Sequence, residues 1–176
     1  MVKDIKNKAV YQYKYWSCHQ SLGNGEGTME KQMLYLDDVN VGDTFISENY
    51  LLSADKIKKF ANEFDPQVFH LDEKLAGNTF FKGLAASGWH TAAITMKLLT
   101  ESLPFAHGVI GAGGEIKWPR ATRPNDVLYV KSSIKEIKPS KSKPGQAFLF
   151  VDCETINQKN EVCQQLTAKL LSFKKD

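Results

Sequence analysis

Little in this chain serves for crosslinking, for crossing a bilayer or for gripping a polyanion. Its 176 residues include three cysteines, Cys18, Cys153 and Cys163, an odd number with no C-x-x-C pair. That argues against a disulfide framework and a cysteine zinc site, and favours a reducing cytoplasm. The four histidines, His19, His70, His90 and His107, lack ligand spacing, so no metal is expected. No apolar run is long enough to span a membrane. The N-terminus, MVKDIKNKAV, has neither the apolar core nor the cleavage site of a secretory signal. The net charge of +3 is mild, and a dense basic stripe for nucleic acid is missing. Two catalytic signatures are also absent. Ser87 stands in Ala85-Ala86-Ser87-Gly88-Trp89, which is not a G-x-S-x-G elbow. Gly108, Gly111, Gly113 and Gly114 precede a strand-like segment rather than open a helix, so they do not form a dinucleotide loop. Close approach of that strand to a buried helix is expected instead.

What is present suffices for one globular domain, since 42% of the residues are hydrophobic. Residues 1–32 combine scattered lysines, the cluster YQYKYW and the Gly-rich SLGNGEGT, and are expected to be a flexible or loosely docked extension. Residues 33–176 then form the single folded domain. In SADKIKKFANEF, the spacing of Ile57, Phe60, Ala61 and Phe64 predicts an amphipathic helix, with Ser53 as N-cap and Asp55 in the first turn. Pro66 disfavours helical geometry at Asp65, so the helix ends there. Asp65 through His70 should form a non-helical turn.

A second helix, GWHTAAITMKLLTE from Gly88 to about Glu101, is apolar around most of its circumference. Such a helix is expected to be buried on most sides. Strands follow. Residues 127–137 alternate Leu128, Val130 and Ile134 against Tyr129 and Lys131. AFLFVDCETI should fold back on EVCQQLTAKLL through Asn157–Asn160, with Thr155 facing Val162 and Cys153 facing Gln164. In that register Cys153 and Cys163 point to opposite faces. The expected fold is α+β, a curved antiparallel sheet wrapped around one long central helix.

The chemistry concentrates before that helix. A carboxylate beside an imidazole, Asp65 with His70, can hold a water and move its proton near neutral pH. Gly88 stands at a helix N-terminus, whose free N–H groups stabilise negative charge. Plainer roles stand beside these: Asp65 as a turn residue, His70 as a core histidine, Ser87 as an N-cap. His90 is expected to pack or make a structural hydrogen bond. Lys135, Lys138, Lys141 and Lys143 fit a solvated hairpin loop or attraction of a phosphorylated carrier, and Arg120 and Arg123 are equally ambiguous.

DPQVFH followed by GLAASGWHTAA resembles the MaoC-like dehydratases and (R)-specific enoyl-CoA hydratases, which have the hotdog fold. The resemblance covers about residues 36–173. It implies that Asp65 and His70 activate and orient water, and that the Gly88 N–H binds a thioester oxygen. The flanking Gln67, Phe69, Ser87 and Trp89 are the expected substrate contacts. Gln67 replaces the asparagine and Val68 the proline of the family signature, and Met96 stands where the family has a helix serine. The implied activity is reversible hydration of a 2-enoyl thioester, on coenzyme A or an acyl carrier, by a homodimer or higher homo-oligomer. No cofactor, nucleic acid or membrane is implied. A hotdog thioesterase is the alternative enzyme, although Gly88 to Thr100 offers no carboxylate. A non-catalytic acyl-CoA-binding module is the other.

Overall fold

The computed structural model describes residues 10–12 and 33–175. Most of the expected extension, with Cys18 and His19, therefore lies outside the described residues. Its described piece is a short strand, β1 (Val10–Gln12). After a 3₁₀ turn at Leu36–Asp38 come β2 (Thr44–Ile46), β3 (Tyr50–Leu52), α1 (Ala54–Phe64), α2 (Val68–Leu71), α3 (Glu73–Ala76) and α4 (Gly88–Ser102). Four strands complete the order: β4 (Ile110–Lys117), β5 (Asp126–Pro139), β6 (Gln146–Ile156) and β7 (Val162–Phe173).

The sheet runs β1-β2-β5-β6-β7-β4, with β3 pairing further along β5. It is antiparallel except that β1 pairs β2 in parallel. β6 and β7 pair two residues away from the expected register: Thr155 faces Gln164 and Cys153 faces Leu166. A bulge at Ile156 and the left-handed Asn160 in the connection take up the difference. An even slip preserves which face each side chain occupies, and Leu149, Val151 and Leu170 are buried on the inner one. Cys153 and Cys163 are free and both buried.

The wrapped-helix expectation is corrected. The sheet is an open path from β1 to β4, and α4 lies across one face of it rather than being enclosed. His90, Thr91, Ile94, Thr95, Leu98, Leu99 and Ser102 are buried. The opposite strip, Trp89, Ala93, Met96, Lys97 and Thr100, faces outward, with Trp89 63% and Met96 44% exposed. Apolar content around the helix therefore overstated its burial. Four of the seven residues that α4 buries are polar, and two of its five large apolar side chains, Trp89 and Met96, are exposed. Three shorter helices accompany it.

Two of those buried polar groups, Thr91 and Thr95, belong to a seam of hydrogen bonds that joins α4 to the rest of the core. Thr95 Oγ1 donates to the Thr91 carbonyl at 2.8 Å and accepts from Gln164 Nε2 at 2.9 Å. Its one proton is thereby spent, so in the 2.6 Å contact with Thr155 Oγ1 the Thr155 hydroxyl is the donor. Gln164 Oε1 accepts from Trp118 Nε1 at 2.8 Å, and Thr91 Oγ1 donates to Thr122 Oγ1 at 3.0 Å. Around this seam pack Phe45, Leu52, Ile57, Leu98, Leu99, Leu128, Ile134 and Leu149. An unpaired hydroxyl among them would cost about 1–3 kcal/mol, so the seam fixes the rotation of α4. Among the described residues no helix is long and apolar enough to cross a membrane.

Candidate active site

The first helix behaves as its sequence predicts at both ends. Ser53 accepts from the Lys56 N–H at 3.3 Å, and the chain leaves the helix at Asp65, with φ −154° and ψ 70°. Ile57 and Ala61 face the core, but Phe64 is 64% exposed. Asp65 is thus set at a helix exit. His70 lies not in an irregular turn, as expected, but on the single helical turn α2, which Gln67 opens in extended geometry.

This arrangement brings Asp65 Oδ2 to 3.3 Å from His70 Nε2. His70 is 4% exposed, and its Nδ1 lies 2.8 Å from the Ala85 carbonyl oxygen. A carbonyl only accepts, so Nδ1 carries a proton; whenever the ring is neutral, its Nε2 lone pair is turned toward the carboxylate. Two acceptors then face each other. A proton supplied by a small hydroxylic molecule satisfies both, which suits the pair to remove one from water.

Asp65 is itself oriented. Gln67 Nε2 donates to Asp65 Oδ1 at 2.7 Å. Burial raises the carboxyl pKa, but the Ser87 hydroxyl, the Gln67 amide and the His70 ring outweigh it and hold the group below the ordinary aspartate value. The Ser87 hydroxyl also accepts from the Trp89 N–H at 3.2 Å, so this buried N-cap ties Asp65 to the start of α4. Gly88 is the first helical residue, and its N–H has no helical carbonyl four residues back. A Cβ at Gly88 would lie 2.8 Å from Trp118 Cε2 and 2.9 Å from Cδ2, so glycine is what admits the indole against the helix tip.

The sequence-predicted residues therefore cluster, with altered parts. Asp65, His70 and Ser87 meet directly, and Gly88 adjoins them. Gln67, expected at the substrate, is committed to Asp65. Phe69 packs edge-on against the His70 ring at 4.5 Å and beside Phe81 at 4.9 Å. Trp89 extends outward and meets Trp118 edge-on at 5.4 Å. His90 packs as expected, its ring stacked on Phe60 at 4.5 Å. Trp118 was not singled out beforehand; the signal was a glycine where a helix would take any small residue. The glycine cluster near β4 serves a different approach from the one expected: a Cβ at Gly114 would meet the Thr167 carbonyl on β7 at 2.7 Å, not the helix. A concavity of about 420 Å³ lies on the sheet face away from α4, lined by Lys117, Lys131, Lys135, Asp152 and Glu154 among others, and by none of the site residues.

Residues 37–147 match a family model described as MaoC like domain. The chain is similar to YdeM, an uncharacterized protein of Bacillus subtilis (strain 168), at 35% identity over 127 residues, covering 70% of this chain and 88% of that one. It is also similar to a 3-hydroxybutyryl-CoA dehydratase of Methylorubrum extorquens, at 28% identity over 112 residues, covering 64% of this chain and 71% of that one. Among solved structures, the MaoC-like dehydratase from Rhodospirillum rubrum shares 52% identity with a TM-score of 0.80, over 81% of this chain and 99% of its own. An R-hydratase from Pseudomonas aeruginosa, 21% identical with a TM-score of 0.65, covers 80% of this chain and 86% of its own and shares the fold.

Proposed function

The chain belongs to the MaoC-like domain family, and on that premise we propose that it catalyses a hydratase/dehydratase reaction on an acyl thioester. In finer terms, water adds reversibly across a 2-enoyl thioester to give the 3-hydroxyacyl thioester. The observation that carries this reading is the 3.3 Å approach of Asp65 Oδ2 to His70 Nε2, with Nδ1 committed to Ala85. The dehydratase names of the Rhodospirillum and Methylorubrum relatives support the reaction class.

In the addition direction, Asp65 and His70 hold the water and take one proton as its oxygen bonds to C3. Electron density moves through C2 onto the thioester oxygen. The Gly88 N–H, backed by the helix dipole, stabilises that charge. A proton returned to C2 completes the product. The two proton transfers belong to the pair rather than to one named member. The carrier, coenzyme A or an acyl carrier protein, is part of the substrate. A homodimer belongs to the same reading, supported by the outward Trp89 and Met96 on α4.

Purified protein mixed with a short 2-enoyl-CoA should consume the conjugated double bond without releasing free thiol. Asp65→Asn and His70→Ala should each lower turnover by at least ~10²-fold, the usual scale of acid–base catalysis. Near-wild-type turnover in both variants removes the mechanism. Thiol release from a saturated acyl-CoA, without hydration, replaces it with hydrolysis.

A further inference from the structure

We propose that Arg123 is a positioning residue for His70, acting through the backbone of the segment that enters α4. Its guanidinium clamps three carbonyls of that segment. Nη1 donates to Gly83 O at 2.9 Å and Leu84 O at 3.1 Å, and Nη2 donates to Phe81 O at 2.6 Å. The same turn adds a fourth tie, the Ala86 N–H donating to the Thr122 carbonyl at 2.9 Å. Asp126 anchors the turn in return, its Oδ2 accepting from the Arg123 N–H at 2.7 Å.

The N–H groups of this segment are tied back toward α3, Phe81 to Thr79 Oγ1 at 3.3 Å, Lys82 to the Thr79 carbonyl at 3.1 Å and Gly83 to the Ala76 carbonyl at 3.1 Å, whereas the Phe81, Gly83 and Leu84 carbonyls are held by Arg123. Lys82 and Gly83 take left-handed backbone angles, φ 54° and 147°, so the chain there follows no helix or strand ladder. Yet the next carbonyl along, Ala85 O, is the acceptor that holds His70 Nδ1 at 2.8 Å. The Ala85 N–H donates to Phe69 O at 3.1 Å, closing a loop of bonds around the His70 ring. Displacing the 81–84 carbonyls displaces Ala85 O, and the proton on His70 Nδ1 then loses its fixed acceptor. The ring is free to turn or to change tautomer, and Nε2 no longer faces Asp65 as an acceptor.

A guanidinium suits this task. It stays charged over any working pH and presents several donors in one plane, which a lysine ammonium on its flexible stem does not. The inference rests on the proposed hydration chemistry for its consequence in turnover, but not for its consequence in the His70 tautomer. Both are therefore measured.

Long-range ¹H–¹⁵N spectra of the imidazole nitrogens at neutral pH should assign the proton of wild-type His70 to Nδ1. Arg123→Met should mix the tautomers, whereas Arg120→Met, which removes the neighbouring arginine from its pairing with Glu161 at 3.3 Å, should leave the wild-type pattern. With a 2-enoyl-CoA, Arg123→Met and Arg123→Lys should lower kcat on the order of 10²-fold and about 10-fold, with KM within about twofold, as expected for a misplaced proton acceptor. Millimolar guanidinium chloride should restore part of the kcat of Arg123→Ala and none of that of His70→Ala. If Arg123→Met fails to fold, Arg123→Lys carries the same two readouts. An unchanged His70 tautomer in the folded variants overturns the proposal, as does an unchanged kcat in a protein whose wild type is active. Should the wild type hydrate no enoyl thioester at all, the proposed reaction falls while the tautomer comparison still decides the clamp.

Discussion

His90 makes the fold sensitive to acid. Its ring is 7% exposed, stacked face to face on Phe60, and its Nδ1 has no hydrogen-bond partner. Burial, and then the nearby Lys56 ammonium, push its pKa from 6.5 down to about 4. Between those values the unfolded chain binds a proton that the native state refuses. Stability therefore rises with pH in this window and is lost as pH falls. Each pH unit removes about 1.4 kcal/mol per proton, so acidifying from neutral to pH 4 removes about 3 kcal/mol through this side chain. Other carboxylates titrate in the same range, and a reference variant cancels them. His90→Phe keeps the stacked ring, sacrifices no hydrogen bond at Nδ1 and cannot be protonated. Urea unfolding, followed by tryptophan fluorescence at pH 7, 6, 5 and 4, should show the two proteins within about 1 kcal/mol at pH 7. The wild type should fall behind the variant by about 3 kcal/mol at pH 4. Parallel stability–pH curves would refute the assignment of a neutral, acid-resistant His90.

Gly88→Ala should lower stability by about 1–3 kcal/mol, because the new Cβ drives the Trp118 indole off the helix tip and away from Gln164. The penalty should largely vanish in a Trp118→Leu background; an equal penalty in both backgrounds assigns the cost to the helix start itself. Cys153, its thiol pushed up to about 12 by burial, and the equally buried Cys163 should resist alkylation by N-ethylmaleimide in native buffer and react once urea unfolds the chain. Peptide mapping showing rapid native labelling at either position contradicts the buried strands.

Local signals carried far in this chain. An N-cap serine, an i, i+3, i+4 apolar spacing and a proline after Asp65 are all written within one turn of the residue they control, and α1 starts and stops where they say. Strand alternation is equally local: Leu128, Val130, Ser132 and Ile134 are buried in turn. Register is not local. The β6–β7 pairing came out two residues away because a bulge at Ile156 leaves no residue-type signature. The burial of α4 failed for a related reason. Apolar residues around a helix do not tell a sheet that wraps from a sheet that lies beneath, and threonines that face the core look solvent-facing until Gln164 and Thr155 are seen to pair with Thr95.

The site divides along the same line. Asp65 and His70 were recognisable because a carboxylate and an imidazole are visible as residue types. What surrounds them, beside the Ser87 hydroxyl at the helix start, is mostly backbone: the Ala85 carbonyl on Nδ1 and the three carbonyls under Arg123. Any residue can supply a carbonyl, so no residue type at position 85 would have announced that role. An arginine can announce only that something accepts its protons, and in sequence Arg123 looked no different from Arg120, which reaches Glu161 at the surface. The difference between the two is made by the left-handed bend at Lys82 and Gly83, which turns the 81–84 carbonyls toward one guanidinium. A conservative change at the bend, Gly83→Ala, should thus disturb His70 although position 83 never touches it.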